Sequence, residues 1–93
     1  MLLLATLERG PLHGYAVVER LRESSDGAFD LAEGTVYPAL YRLEGAGLLR
    51  SAWTIGKGRR RRVYRLTRRG RSELARERRE WTSFSKAVRA VIA

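Results

Sequence analysis

The 93-residue chain carries 19 basic and 10 acidic side chains, has one histidine and has no cysteine, so disulfides, thiolate metal sites and a histidine-built metal centre are excluded and no metal or cofactor is expected. One domain of this size buries only about 60–68% of its unfolded surface, and support from a second subunit would be natural. The net charge of +9 is concentrated in residues 50–79, which hold thirteen basic and two acidic groups; this density favours nucleic acid over an anionic membrane surface or a solvated face.

In chain order, Leu2, Leu3, Leu4 and Leu7 form a short, very apolar helix ending at the Gly10-Pro11 turn. The stretch is too short to span a membrane. With no basic segment before it and Glu8-Arg9 directly after, it is not a signal peptide either, and a soluble cytoplasmic protein is expected. His13 or Gly14 opens a second helix reaching Ser24, with Tyr15, Val17, Val18 and Leu21 as its apolar residues and Glu19, Arg20, Arg22 and Glu23 facing water. His13 reads as a helix-start residue rather than a ligand or base. Ser25 to Gly27 form a loop, and Phe29 alternating with Leu31 predicts a very short strand.

Asp30 to Gly47 reads as one helix with two unlike faces. Val36, Leu40 and Leu43 fall on the core stripe, and Thr35, Pro38, Tyr41 and Arg42 on the other side. That outer face has a hydroxyl, a phenol and a guanidinium but no carboxylate, which suits an anionic partner. Asp30 and Glu33 are spaced as a capping box, and the glycines flanking Ala46 supply the stop. Pro38 is expected near the first turn, its ring towards Gly34.

The period then changes from helical to extended. Leu48 to Thr54 and Arg60 to Leu66 read as strands joined by a glycine-punctuated tip, Ile55 to Arg59. Trp53 and Tyr64 are expected to pack on the helices, and the arginines to take the other face and the tip. Thr67 caps a last helix, Arg68 to Ile92. Leu74, Trp81, Phe84, Val88 and Val91 follow one another at intervals of seven, three, four and three, the spacing of a coiled-coil seam. The helix is too long for so small a domain, and a dimer through it and through Leu3, Leu4 and Leu7 is expected.

Three short helices and a β-hairpin make a winged helix-turn-helix, mainly α with a small β wing (α+β). Residues 1–67 are expected to form its DNA-binding domain and 68–93 its C-terminal dimerisation helix. Gly10-Pro-Leu-His-Gly-Tyr15, Glu33-Gly-Thr-Val-Tyr-Pro-Ala-Leu40, Arg42-Leu43-Glu44, Gly47-Leu48-Leu49, Gly58-Arg59-Arg60 and Tyr64-Arg65-Leu66-Thr67 with Gly70 resemble the PadR family of bacterial transcriptional regulators. The resemblance runs through almost the whole chain, and the single C-terminal helix resembles the smaller subfamily. It implies a homodimeric repressor of a nearby gene, on a palindromic operator, released by a small molecule or another signal. Trp81 falls where members that bind aromatic drugs keep a tryptophan in the dimer's central pore. Members of the family usually have several residues ahead of the first apolar helix, and this sequence begins inside it.

The expected interface with double-stranded DNA follows from side-chain chemistry. Thr35 and Tyr41 face base edges or phosphates, Arg42 a guanine or the backbone, and Tyr37 a phosphate, with Pro38 on the same face. Lys57, Arg59, Arg60 and Arg61 line the backbone or enter the minor groove. Trp81 and Phe84 are candidates for an aromatic effector in the dimer pore, or plain dimer core. The residues leave open a winged-helix module for protein or RNA and a non-specific architectural DNA binder. No pair of carboxylates and no nucleophile with a base stands out, so an enzyme is not expected.

Overall fold

The computed structural model describes residues 1–93. Four helices and a three-stranded antiparallel sheet follow in the order α1 (Leu2–Thr6), β1 (Leu12–His13), α2 (Gly14–Ser24), α3 (Glu33–Gly45), β2 (Leu49–Gly56), β3 (Arg59–Leu66) and α4 (Arg68–Ile92). The sheet order is β1-β3-β2, so the expected hairpin gains a third, two-residue strand that pairs Leu12 with Tyr64 and His13 with Val63. Leu4, Leu7, Val17, Val36, Leu40, Leu49, Tyr64, Leu66 and Leu74 make one core. The winged helix-turn-helix is therefore built as the residue periods predict, with α2 and α3 as the turn pair. No helix is long and apolar enough to cross a membrane.

Local chemistry sets the helix ends. α2 finishes in a Schellman arrangement: Gly27 N–H donates to the Arg22 carbonyl at 2.8 Å and Asp26 N–H to Glu23 at 3.2 Å, with Asp26 in the left-handed region. α3 ends the same way at Gly47, φ 80°, with Leu48 N–H on Leu43 at 3.0 Å and Gly47 N–H on Glu44 at 2.9 Å. The glycine stop read from the sequence is thus in place, although the helix itself is shorter at its start.

Three local expectations are corrected there. The N-cap of α3 is Ala32, without a side-chain cap, so Asp30 and Glu33 form no capping box. Phe29 to Leu31 is irregular rather than a strand, because no neighbouring strand pairs with it. Pro38 lies in the second turn, where its missing N–H leaves the Gly34 carbonyl without an intrahelical donor. Gly34 is exposed, so water can reach that carbonyl.

The wing is longer and tighter than predicted. Its strands pair from Leu49 with Leu66 to Gly56 with Arg59, leaving only Lys57-Gly58 as the tip. Both tip residues have positive φ, 52° and 74°, the requirement of a two-residue hairpin turn that matches strand twist. α4 begins where Thr67 Oγ1 accepts the Gly70 N–H at 3.0 Å and itself donates to the Gly47 carbonyl at 2.7 Å. Its first half packs on α1 through Leu74 and pairs through Arg78 with Glu8, in the turn after α1, at 2.6 Å, while the half from Trp81 onward projects, giving the chain a 54 × 28 × 21 Å outline.

Candidate nucleic-acid interface

The outer face of α3 is presented as its spacing requires. Val36 and Leu40 are buried and Leu43 half-buried, while Thr35, Tyr37, Pro38, Tyr41 and Arg42 are exposed, Tyr41 to 76%. No acidic residue lies between Gly34 and Leu43. Tyr37 leans back over α2: a Cβ on Gly14 would lie 2.3 Å from its ring, so the missing side chain of Gly14 is what lets the phenol seat there. Burial pushes the Tyr37 phenol above its ordinary pKa, with Glu33 and Tyr64 adding to the effect, so it stays a neutral hydrogen-bond donor.

Beside it opens a groove of about 640 Å³, where β1 stops and β3 continues into the wing. His13, Tyr15, Tyr37, Trp53 and Arg59 to Arg62 line it. Of the predicted contact residues the groove therefore gathers Tyr37, Arg59, Arg60 and Arg61. Thr35, Pro38, Tyr41 and Arg42 stay on the free face of α3, and Lys57 at the wing tip. Tyr15, one of the apolar residues read for α2, is half exposed on the groove wall.

The four consecutive arginines are not equivalent. Arg62 Nε donates to Ser51 Oγ at 2.8 Å, Ser51 donates to Glu44 at 2.6 Å, and Arg62 lies 3.7 Å from the same carboxylate. Arg60 sits with its guanidinium 4.7 Å from the centre of the Trp53 ring and Arg62 at 5.3 Å. Trp53 was expected on the helices, but it lies beyond their reach, 55% exposed, because strand pairing puts it opposite Arg62 on the projecting wing. Arg61 Nη1 approaches His13 Nε2 at 3.3 Å, while Arg59, next to the tip, has no acidic partner.

Sequence reading missed His13 as part of this surface, together with the Gly14–Tyr37 contact and the Glu44–Ser51–Arg62 network. All three join segments far apart in sequence. Leu4, Leu7 and Leu74 are 1% exposed. They spend their surface in this chain's own core, and so are not the surface residues of a dimer seam. Leu3 is half-buried, while Trp81, Phe84, Val88 and Val91 on α4 are exposed. Trp81 and Phe84 stack, their ring centres 6.0 Å apart and planes within 8°.

Residues 3–76 match the family described as transcriptional regulator PadR-like. The transcriptional regulator Rv3488 of Mycobacterium tuberculosis is 42% identical over 67 residues, covering 72% of this chain and 63% of that protein. An uncharacterised 37.1 kDa protein of a Streptomyces fradiae transposon is 42% identical over 77 residues, and there the chain spans only 21% of the relative's length. A PadR family regulator from Clostridium difficile is 32% identical with a TM-score of 0.89, covering 99% of this chain and 95% of that one. The PadR of Bacillus subtilis, solved in complex with operator DNA, is 28% identical with a TM-score of 0.72 over 80% of this chain and 41% of its own.

Proposed function

The chain belongs to the transcriptional regulator PadR-like family, and from that premise we propose that it is a sequence-specific DNA-binding repressor, acting in the cytoplasm as a homodimer on a palindromic operator. The observation that carries the reading is the pairing of two surfaces: an α3 face with no carboxylate, and a wing whose outermost cations have no acidic partner. α3 enters the major groove, with Thr35, Pro38 and Tyr41 against base edges or phosphates and Arg42 on a guanine or the backbone. Tyr37 donates to a phosphate. Lys57, Arg59, Arg60 and Arg61 follow the backbone into the adjacent minor groove.

Dimerisation follows from the projecting half of α4. A helical segment of about a dozen residues is marginal alone in water, and this one exposes Trp81, Phe84, Val88 and Val91 on the seam predicted from their spacing. A second copy laid against it covers those side chains, and Leu2 and Leu3 are the leucines of α1 with surface left to join them. The stacked Trp81 and Phe84 would then offer flat faces to a planar aromatic effector that releases the DNA.

A gel-shift and salt titration on the protein's own promoter against scrambled DNA of equal length, with the solution mass recorded, tests the reading. A dimer preferring the promoter by about a thousandfold supports it, with half-sites about 10 bp apart or a multiple. Equal, steeply salt-dependent binding to both DNAs would instead favour an architectural role, and no duplex binding an RNA or protein module. Quenching of tryptophan fluorescence by a planar cationic dye, lost in Trp81→Ala but kept in Trp53→Ala, tests the effector seat; equal quenching in both variants rejects it.

A further inference from the structure

His13 makes two contacts that one neutral imidazole cannot satisfy together. Its Nδ1 lies 3.3 Å from the Ala16 N–H, and its Nε2 lies 3.3 Å from Arg61 Nη1. Accepting at both nitrogens would require a ring with no proton at all. The Ala16 N–H is one of the first-turn donors of α2 that no backbone carbonyl can take, and it has no other partner. Arg61 lies on the open side of the groove, where its guanidinium can be hydrated. The cap therefore wins: Nδ1 accepts, Nε2 carries the hydrogen, and the Nε2–H and the Arg61 guanidinium face each other as two donors with no acceptor between them.

We propose that His13 and Arg61 together form a seat for one phosphate oxygen of the DNA backbone, at the mouth of the groove between the wing and the start of α2. This rests on the DNA-binding reading above and adds a residue to it. An anionic oxygen placed between the two groups accepts from both and turns an opposed pair into a charge-assisted one. The surroundings agree with an anion: Tyr37, a neutral donor, lines the same groove together with Arg59, Arg60 and Arg62, and no carboxylate does. β1 fixes the ring's place, because His13 is paired with Val63 on β3, two residues from Arg61. The start of α2 is thereby tied to the wing, and the phosphate that both touch sets how far α3 reaches into the neighbouring groove.

The test separates the seat from the helix cap. His13→Ser keeps a good N-cap for Ala16 but cannot reach the groove, so its melting temperature should stay within a degree or two of wild type (on the order of a cap-for-cap exchange). Its affinity for a promoter duplex should fall roughly 5- to 10-fold, while the slope of log affinity against log salt stays unchanged, because a neutral donor releases no counterion. Arg61→Gln should lose affinity and also lower that slope by about 1, and the double variant should lose less than the product of the two single losses. In ring-nitrogen NMR, free protein should show the Nε2–H tautomer, and the Nε2 proton should become slowly exchanging when duplex is added. His13→Ser with wild-type affinity, or the same NMR change on adding inorganic phosphate alone at the ionic strength used for the duplex, overturns the proposal. A wild-type protein that binds no duplex removes the DNA reading itself and the seat with it.

Discussion

Replacing Gly70 with alanine should destabilise the fold although the site is helical. Alanine in a helix is ordinarily better than glycine by about 0.5–1 kcal/mol. At Gly70, however, the new Cβ would stand 2.1 Å from the Leu48 carbonyl oxygen and 3.1 Å from both the Leu48 carbonyl carbon and Leu66 Cδ2. Ordinary van der Waals separation requires α4 to retreat by about 1 Å or more from the start of β2. That retreat costs the roughly 1–3 kcal/mol of an overpacked core. It also pulls on Thr67, whose N–H donates to the same Leu48 oxygen at 3.2 Å and whose hydroxyl caps Gly70 and holds Gly47. A damaged cap adds about 1 kcal/mol. The expected balance is a loss of roughly 2 kcal/mol, or about 8–16 °C in Tm for a domain of this size. Thermal unfolding followed by circular dichroism at one fixed protein concentration measures it. Gly45→Ala serves as the control, because a Cβ there meets nothing within 4 Å and should raise stability by up to about 0.5–1 kcal/mol. A Gly70→Ala protein as stable as wild type or more so would refute the steric reasoning.

Arg42→Ala should cost roughly 1–3 kcal/mol of binding and relax preference at one base pair; a uniform loss over all sequences, measured on a panel of operator variants, would place Arg42 on the backbone instead. Lys57→Asn should raise stability by about 0.5 kcal/mol, since asparagine tolerates the left-handed φ of 52° better than lysine, while weakening binding to every duplex by the lost charge. The hydrogen bonds from Arg78 hold the Glu8 carboxyl below its ordinary pKa, outweighing the upward effect of desolvation, with the charges of Arg78, Arg71 and Arg9 adding to the lowering. Because the folded value is the lower one, its contribution is full above the ordinary 4.5 and is lost as pH falls through the folded value, so Glu8→Gln should flatten the acid side of a Tm-against-pH curve. Arg62→Ala should lower thermal stability before it lowers affinity, since it strips the Glu44–Ser51 pair of its cation, whereas Arg59→Ala should leave Tm in place, weaken binding to all sequences and reduce the salt slope by about 1.

Where sequence period determines structure, reading the chain in order reaches the right answer. The stripes of α2 and α3, the switch to strands after Gly47 and the Thr67 cap each depend on residues within a turn or two of one another. The failures need partners from elsewhere. Asp30 and Glu33 have capping-box spacing, but the chain enters α3 at Ala32 and leaves Asp30 outside. Trp53 has the size of a core residue, yet alternation places it two pairs beyond Ser51–Tyr64, where the helices no longer cover the sheet. Leu4 and Leu7 looked like dimer residues because their stretch is so apolar, but a core of nine buried side chains needs them on the inside. β1 escaped because two residues carry no period.

The charge run of residues 59–62 illustrates how a fold turns composition into function. Four adjacent arginines repel in any conformation, and a strand relieves part of that by sending alternate side chains to opposite faces. Arg60 and Arg62 then share the face of Trp53, where the indole takes up positive charge from above while Glu44, on α3, neutralises Arg62 alone. Because Glu44 sits near the end of α3, that ion pair also links the wing to the proposed recognition helix. Arg59 and Arg61 are left on the other face without a carboxylate. The wing thus keeps one of its charges for holding its own angle to α3 and leaves its remaining cations for a ligand. Its stability and its affinity can accordingly be changed by different substitutions within the same four residues.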